Sequence, residues 1–130
     1  MTNNISQEEM RVLLRAQQGE VDAVKMYLAL AKTVKNARDV RTFEQLAAEE
    51  GRHAAVFKAR TDRVLEPKNT KAILLPLLYR VLGRKRVYPL IAKGEYDAVE
   101  KYRPIIGRYP EVESVMNDEQ RHGDTVLALL

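Results

Sequence analysis

The chain has 130 residues, 45% of them hydrophobic and 6% aromatic, with a formal net charge of +4. That is the size of one domain with enough apolar matter for a packed core, and a single domain over residues 1–130 is expected. With no cysteine in the sequence, disulfides, Cys-ligated zinc, iron–sulfur centres and thiol nucleophiles are excluded, and a cytoplasmic location is expected.

Met1 to Ser6 is polar and lacks the apolar core of a signal peptide. No apolar run reaches the roughly 18–20 residues of a membrane span, so no transmembrane segment is expected. The nearest run, Ala72 to Leu82, is short and contains Pro76 and Arg80.

The first helix starts at a capping box, Ser6 with Glu9 three residues later, and runs to about Val34. Its inward seam is Leu13, Gln17, Glu20, Val24, Tyr27 and Ala31, whose alternating steps of four and three are bundle periodicity. The second runs from about Asp39 to Leu65, stopped by Pro67, with the seam Phe43, Leu46, Glu50, His53, Phe57. Residues 67–87 link this pair to the next. In helical form they would span ~30 Å, about the length of a bundle, although Pro76 should kink or interrupt them. The third helix starts near Pro89 and ends near Gly107, with the seam Ile91, Glu95, Ala98, Tyr102, Ile105. The fourth starts at Pro110 and runs to the C-terminus, with the seam Val112, Val115, Glu119, His122, Val126, Leu129.

The chain also repeats itself. Gly19-Glu20-Val21-Asp22-Ala23-Val24 matches Gly94-Glu95-Tyr96-Asp97-Ala98-Val99, and Glu49-Glu50-Gly51-Arg52-His53 matches Asp118-Glu119-Gln120-Arg121-His122. Two like hairpins packed face to face, joined by one long and partly helical crossover, give an all-α four-helix bundle of the ferritin-like kind.

Each seam carries an inward Glu, and two carry a His three residues later. Four buried carboxylates repel one another and are costly unless a cation compensates them. Residues at i and i+3 share a helix face, so Glu50 with His53, and Glu119 with His122, can reach one centre. One Glu from each of two helices and Glu-x-x-His from each of the other two is the ligand order of ferritin-like two-metal sites. A lone Glu-x-x-His on a helix is usually surface decoration. Two on seam positions, with two further seam Glu residues and an internal repeat, reverse that preference.

The expected metal ligands are therefore Glu20, Glu50, His53, Glu95, Glu119 and His122. Glu50 and Glu119 would bridge, and Glu20 and Glu95 would be terminal. Four carboxylates balance two divalent ions. Oxygen with imidazole donors suits iron, with manganese or zinc as substitutes.

Asp118 and Glu49 are expected to accept the outer N–H of the ligand histidines across the bundle. Asp22 and Asp97 are weaker candidates for that role. Tyr27 and Tyr102, seven residues after Glu20 and Glu95, lie on the inner face, where a hydroxyl could bond a ligand carboxylate or the ring could simply fill the core. Arg52 and Arg121 read as exposed ion-pair partners. The cluster Arg80, Arg84, Lys85 and Arg86 reads as a solvated helix end, with an acidic lipid surface as a sharper alternative. No stacking aromatics alternate with these charges, so no nucleic-acid partner is expected.

The order Glu…Glu-x-x-His…Glu…Glu-x-x-His, with a Tyr seven residues past the first and third Glu, resembles the rubrerythrin family of the ferritin-like superfamily. The resemblance covers nearly the whole chain. It implies a two-iron cofactor and iron oxidation coupled to reduction of hydrogen peroxide or dioxygen. The chain departs from that family at two points. It has no cysteine, whereas rubrerythrins usually carry a Cys-rich rubredoxin-like domain, so an external electron-donor protein is implied. Ala98 stands where the family carries an additional ligand Glu. A homodimer, formed through the linker or by swapping hairpins, is also expected. Slow iron handling with little turnover, and a metal-free helical interaction module, are the alternatives.

Overall fold

The structure, a computed structural model, describes residues 5–130. The signal-peptide reading of Met1 to Ser6 therefore lies largely outside the described residues. The elements are α1 (Gln7–Thr33), α2 (Ala37–Thr61), α3 (Thr70–Leu82), α4 (Arg84–Tyr102), a 3₁₀ turn (Arg103–Ile105) and α5 (Val112–Ala128). Helices α1 and α2 form one hairpin, α4 and α5 the second, and α3 is the crossover. The chain is an all-α, ferritin-like four-helix bundle of two hairpins, as its seams predict.

The N-terminal signal of α1 is realised. The Ser6 hydroxyl accepts from the Glu9 amide at 3.0 Å, and the Glu9 carboxylate accepts from the Ser6 amide at 3.1 Å, which satisfies two orphan donors of the first turn. Asn36 caps α2 by accepting from the Arg38 amide at 2.7 Å.

Several boundaries differ from the sequence expectation. Helix α2 ends at Thr61 rather than near Leu65, because Asp62 turns left-handed at φ 55°, a conformation that Asp tolerates better than most residues. The following strand of coil is tied to α1: the Gln17 side-chain amide donates to the Arg63 carbonyl at 2.7 Å, and the Lys68 amide donates to Asp22 at 2.7 Å. These long-range bonds replace the helical ones that α2 gives up.

Pro76 does not interrupt α3, which runs through it and buries it. The break comes at Gly83, where φ is 82° and any side chain would be strained. Helix α4 then begins at Arg84, five residues before Pro89. Pro89 lacks the N–H that would reach the Lys85 carbonyl, and both residues are exposed, so water can serve that carbonyl. At its far end α4 stops at Tyr102, and α5 starts at Val112 rather than Pro110.

Two apolar clusters fill the bundle. One holds Tyr27, Leu30, Phe43, Leu46, Tyr88 and Val126 among others. The other is built on Leu13, Phe57, Val99, Val112, Val115 and Met116. On every bundle helix the Glu and His positions fall between these clusters, so the polar layer is sealed above and below. Fully burying each such Leu or Phe stabilises the fold by ~1.5–3 kcal/mol.

The hairpin of α4 and α5 closes tightly at Gly123, next to His122. A Cβ there would stand 2.5 Å from a ring carbon of Tyr96, whose hydroxyl is held by Asp124 at 2.6 Å. Gly123→Ala should therefore overpack this contact and destabilise the protein by about 1–3 kcal/mol. Urea unfolding would show a lowered midpoint; an unchanged midpoint would mean that the Tyr96 ring moves freely.

Candidate metal centre

Glu20 on α1, Glu50 and His53 on α2, Glu95 on α4, and Glu119 and His122 on α5 are all buried, each 6% exposed or less. Their donor atoms fall into two overlapping groups. Glu20, Glu50, His53 and Glu119 can each offer one atom within 4.8 Å of the others, and so can Glu50, Glu95, Glu119 and His122. Glu50 and Glu119 belong to both groups. Glu20 with His53, and Glu95 with His122, each belong to one group only.

Both imidazoles turn Nδ1 inward. His53 Nδ1 lies 2.9 Å from Glu50, 3.3 Å from Glu20 and 3.4 Å from Glu119. His122 Nδ1 lies 3.1 Å from Glu119, 3.5 Å from Glu50 and 3.7 Å from Glu95. The rings stack 5.5 Å apart, related by the pseudo-twofold axis of the two hairpins. Glu20 Oε1, Glu119 Oε1 and His122 Nδ1 are buried without a hydrogen-bond partner. Orphaned buried polar atoms are costly, and three of them aimed at one centre fit a bound cation.

The surrounding layer is reciprocal. His53 Nε2 meets Asp118 at 2.8 Å, and His122 Nε2 meets Glu49 at 2.7 Å, each across the bundle. A carboxylate there favours the tautomer with the proton on Nε2 and the Nδ1 lone pair facing inward. The Tyr102 hydroxyl donates to Glu20 at 2.6 Å, and the Tyr27 hydroxyl donates to Glu95. Each tyrosine thus holds the carboxylate of the other hairpin. Asp22 and Asp97 do not reach the histidines: Asp22 accepts from Gln18 and the Lys68 amide, and Asp97 pairs with Lys93 at the surface. Arg121 has a larger part than its exposure suggests. It donates to Glu49 at 2.6 Å and to Asp118 at 3.1 Å, and so links the partners of both histidines.

The proton affinities record the crowding. Burial, together with the Glu119 charge, raises the Glu20 carboxyl from 4.5 to about 7. Burial and the Glu20 charge push Glu50 well above its usual value. Burial would lower His122, but the carboxylates of Glu119, Glu95 and Glu49 outweigh it and raise the imidazole to about 10; His53 is raised by the same kind of neighbours. Burial acts to raise Glu49, yet Arg121 and His122 overcome it and hold the carboxylate down to about 2. Protons thus take up in part the charge that cations would neutralise.

A cavity of about 610 Å³ opens between α1 and α4 beneath α3 and reaches Glu20, Glu50, Glu95 and Glu119. Gly19, Ala23, Gly94 and Ala98, related in pairs by the internal repeat, line it. Ala98, which stands where the resemblance would place a further ligand, leaves this space open.

A family model for Rubrerythrin matches residues 11–130. The chain belongs to the rubrerythrin family. Searches of curated proteins and of solved structures give no significant match. Rubrerythrin membership and the buried carboxylate–histidine cluster together are compatible with a di-iron site. Among the described residues, no helix is long and apolar enough to cross a membrane.

Sequence spacing did not reveal Gly123 or the linking role of Arg121. A glycine inside a helix beside a candidate ligand was the available signal for the first.

Two outcomes follow. In metal-free protein Glu20 keeps its proton between pH 4.5 and 7, and His122 between 6.5 and 10, whereas the unfolded chain has released both. Both groups bind protons more tightly in the folded state, so metal-free stability falls as pH rises across these windows. Urea midpoints with a chelator present should decline from pH 5 to pH 9, and added Fe(II) under anaerobic conditions should flatten the profile. Glu49→Gln should weaken metal binding by ~10–100-fold by releasing His122, measured by competition with a chromophoric chelator.

Proposed function

We propose that this chain is a non-haem di-iron protein that oxidises Fe(II), or reduces hydrogen peroxide or dioxygen, at the site formed by Glu20, Glu50, His53, Glu95, Glu119 and His122. The observation that carries this reading is the pair of buried ligand groups sharing Glu50 and Glu119. Bound iron would supply the electron exchange with the oxidant.

The chain's own residues set the conditions. Four carboxylates match the charge of two divalent ions. Manganese or zinc could occupy the same donors. Asp118 and Glu49 hold the Nε2 protons and so orient the imidazoles. Tyr102 and Tyr27 hold Glu20 and Glu95 from the opposite hairpin and limit their motion. The cavity beside Ala98 gives a small oxidant a path to the centre.

These 130 residues contain no cysteine-bound electron donor, so electrons would come from outside them. That feature favours a second reading of the same site: iron handling with slow oxidation and little turnover.

Anaerobic Fe(II) loading should give two irons per chain. Adding peroxide should then produce the near-ultraviolet absorption of oxidised, paired iron. His53→Ala and Glu119→Ala should each abolish it. Much less than two irons per chain would overturn the proposal. Repeated peroxide consumption with a supplied reductant separates the enzyme from the iron-handling protein, which would react once and stop.

A further inference from the structure

Residues 67–94 contain no Asp or Glu and hold seven of the 22 Lys and Arg. The rest of the chain has 15 basic against 18 acidic residues, so the net positive charge is concentrated on this one segment. Lys68, Lys71, Arg80, Lys85 and Arg86 are exposed, and none has a carboxylate partner among the described residues.

The same segment bares an apolar face. Ile73, Leu77 and Val81 follow at four-residue steps on one side of α3 and are 69%, 54% and 71% exposed. Leu74 and Leu90 extend this surface and line the cavity mouth between α1 and α4. The opposite side of α3 packs Leu75, Leu78 and Tyr79 against the core. The outward Ile73, Leu77 and Val81 therefore have no apolar cover among the described residues.

A second copy of the chain is the first occupant to consider, since the linker is where a homodimer is expected. Twofold pairing of this face would set its cations against the same cations of the partner, with no acid in the segment to relieve them, and like charges brought together are destabilising. An apolar stripe bordered by Lys and Arg instead complements a surface that offers hydrocarbon beneath phosphate. Long basic side chains can lie along the apolar stripe and lift their charges to the headgroups. With 13 residues, α3 is about 20 Å long, too short to cross a hydrocarbon core of ~30 Å, so it would lie flat.

We propose that α3 is an interfacial helix that lays Ile73, Leu77 and Val81 into the surface of a bilayer containing anionic lipid, while Lys68, Lys71, Arg80, Lys85 and Arg86 meet its phosphates. Docking in this orientation sets the mouth of the cavity, and with it the approach to Glu20 and Glu95, against the lipid.

The full chain is mixed with vesicles of phosphatidylcholine alone or with added phosphatidylglycerol, and binding is read by flotation. Association should require the anionic lipid and weaken sharply at high salt. These two measurements use the unaltered chain and do not depend on any variant folding. Lys85→Glu with Arg86→Glu, and separately Leu77→Asp with Val81→Asp, should each reduce vesicle binding about tenfold or more while circular dichroism stays helical. Absence of binding to phosphatidylglycerol vesicles, or binding indifferent to lipid charge, overturns the proposal. So does light scattering that shows a dimer split by Leu77→Asp with Val81→Asp, because the face would then belong to a second copy.

Discussion

Four carboxylates and two imidazoles share one buried layer between two apolar clusters, and the rest of the structure answers that constraint. Charges of one sign cannot be held together in a low-dielectric interior without compensation. In the protein alone, protons supply part of it: burial raises Glu20 and Glu50, and the carboxylates raise both histidines. Two divalent cations would meet the same need with better geometry, because three donor atoms in the layer have no hydrogen-bond partner. The apolar clusters contribute more than stability. They close the layer above and below with low-dielectric matter and so preserve the electrostatic demand that selects for a cation.

The layer is held by contacts that cross from one hairpin to the other. Tyr27 and Tyr102 each grip the opposite hairpin's Glu, and Asp118 and Glu49 each grip the opposite hairpin's His. The internal repeat accounts for this reciprocity: like residues at like positions meet across a pseudo-twofold axis. Arg121 breaks the symmetry. It joins Glu49 and Asp118 into one network, while its counterpart Arg52 is exposed and makes no ion pair among the described residues. The outer shells of the two histidines are therefore coupled through a single guanidinium at the surface.

One side of this layer is open. Small residues beside Glu20 and Glu95 leave a cavity where α1 and α4 stand apart, and α3 roofs it. The crossover is thus both a connection and part of the site's entrance. Its acid-free composition gives that entrance a chemical character unlike the rest of the surface, apolar at the centre and cationic at the border.

The amino-acid sequence by itself determined the helical class, the two-hairpin order and the inward facing of the six donors, because seam periodicity and three-residue spacing are local properties of a helix. Glu49 and Asp118 were also legible, since each precedes a ligand Glu by one position and the repeat pairs them. The helix limits were less so. Helix α2 stops at Thr61, where Asp62 turns left-handed, and Gln17 and Asp22, more than 40 residues earlier in the chain, hold the coil that follows. Helix α4 begins at Arg84 because Gly83 breaks the chain and exposure spares Pro89 its lost bond. The Gly123–Tyr96 contact, the span of Arg121, the cavity beside Ala98 and the outward face of α3 were decided by tertiary structure alone. Each depends on the distance between helices remote in sequence, and spacing along one helix carries no information about that distance.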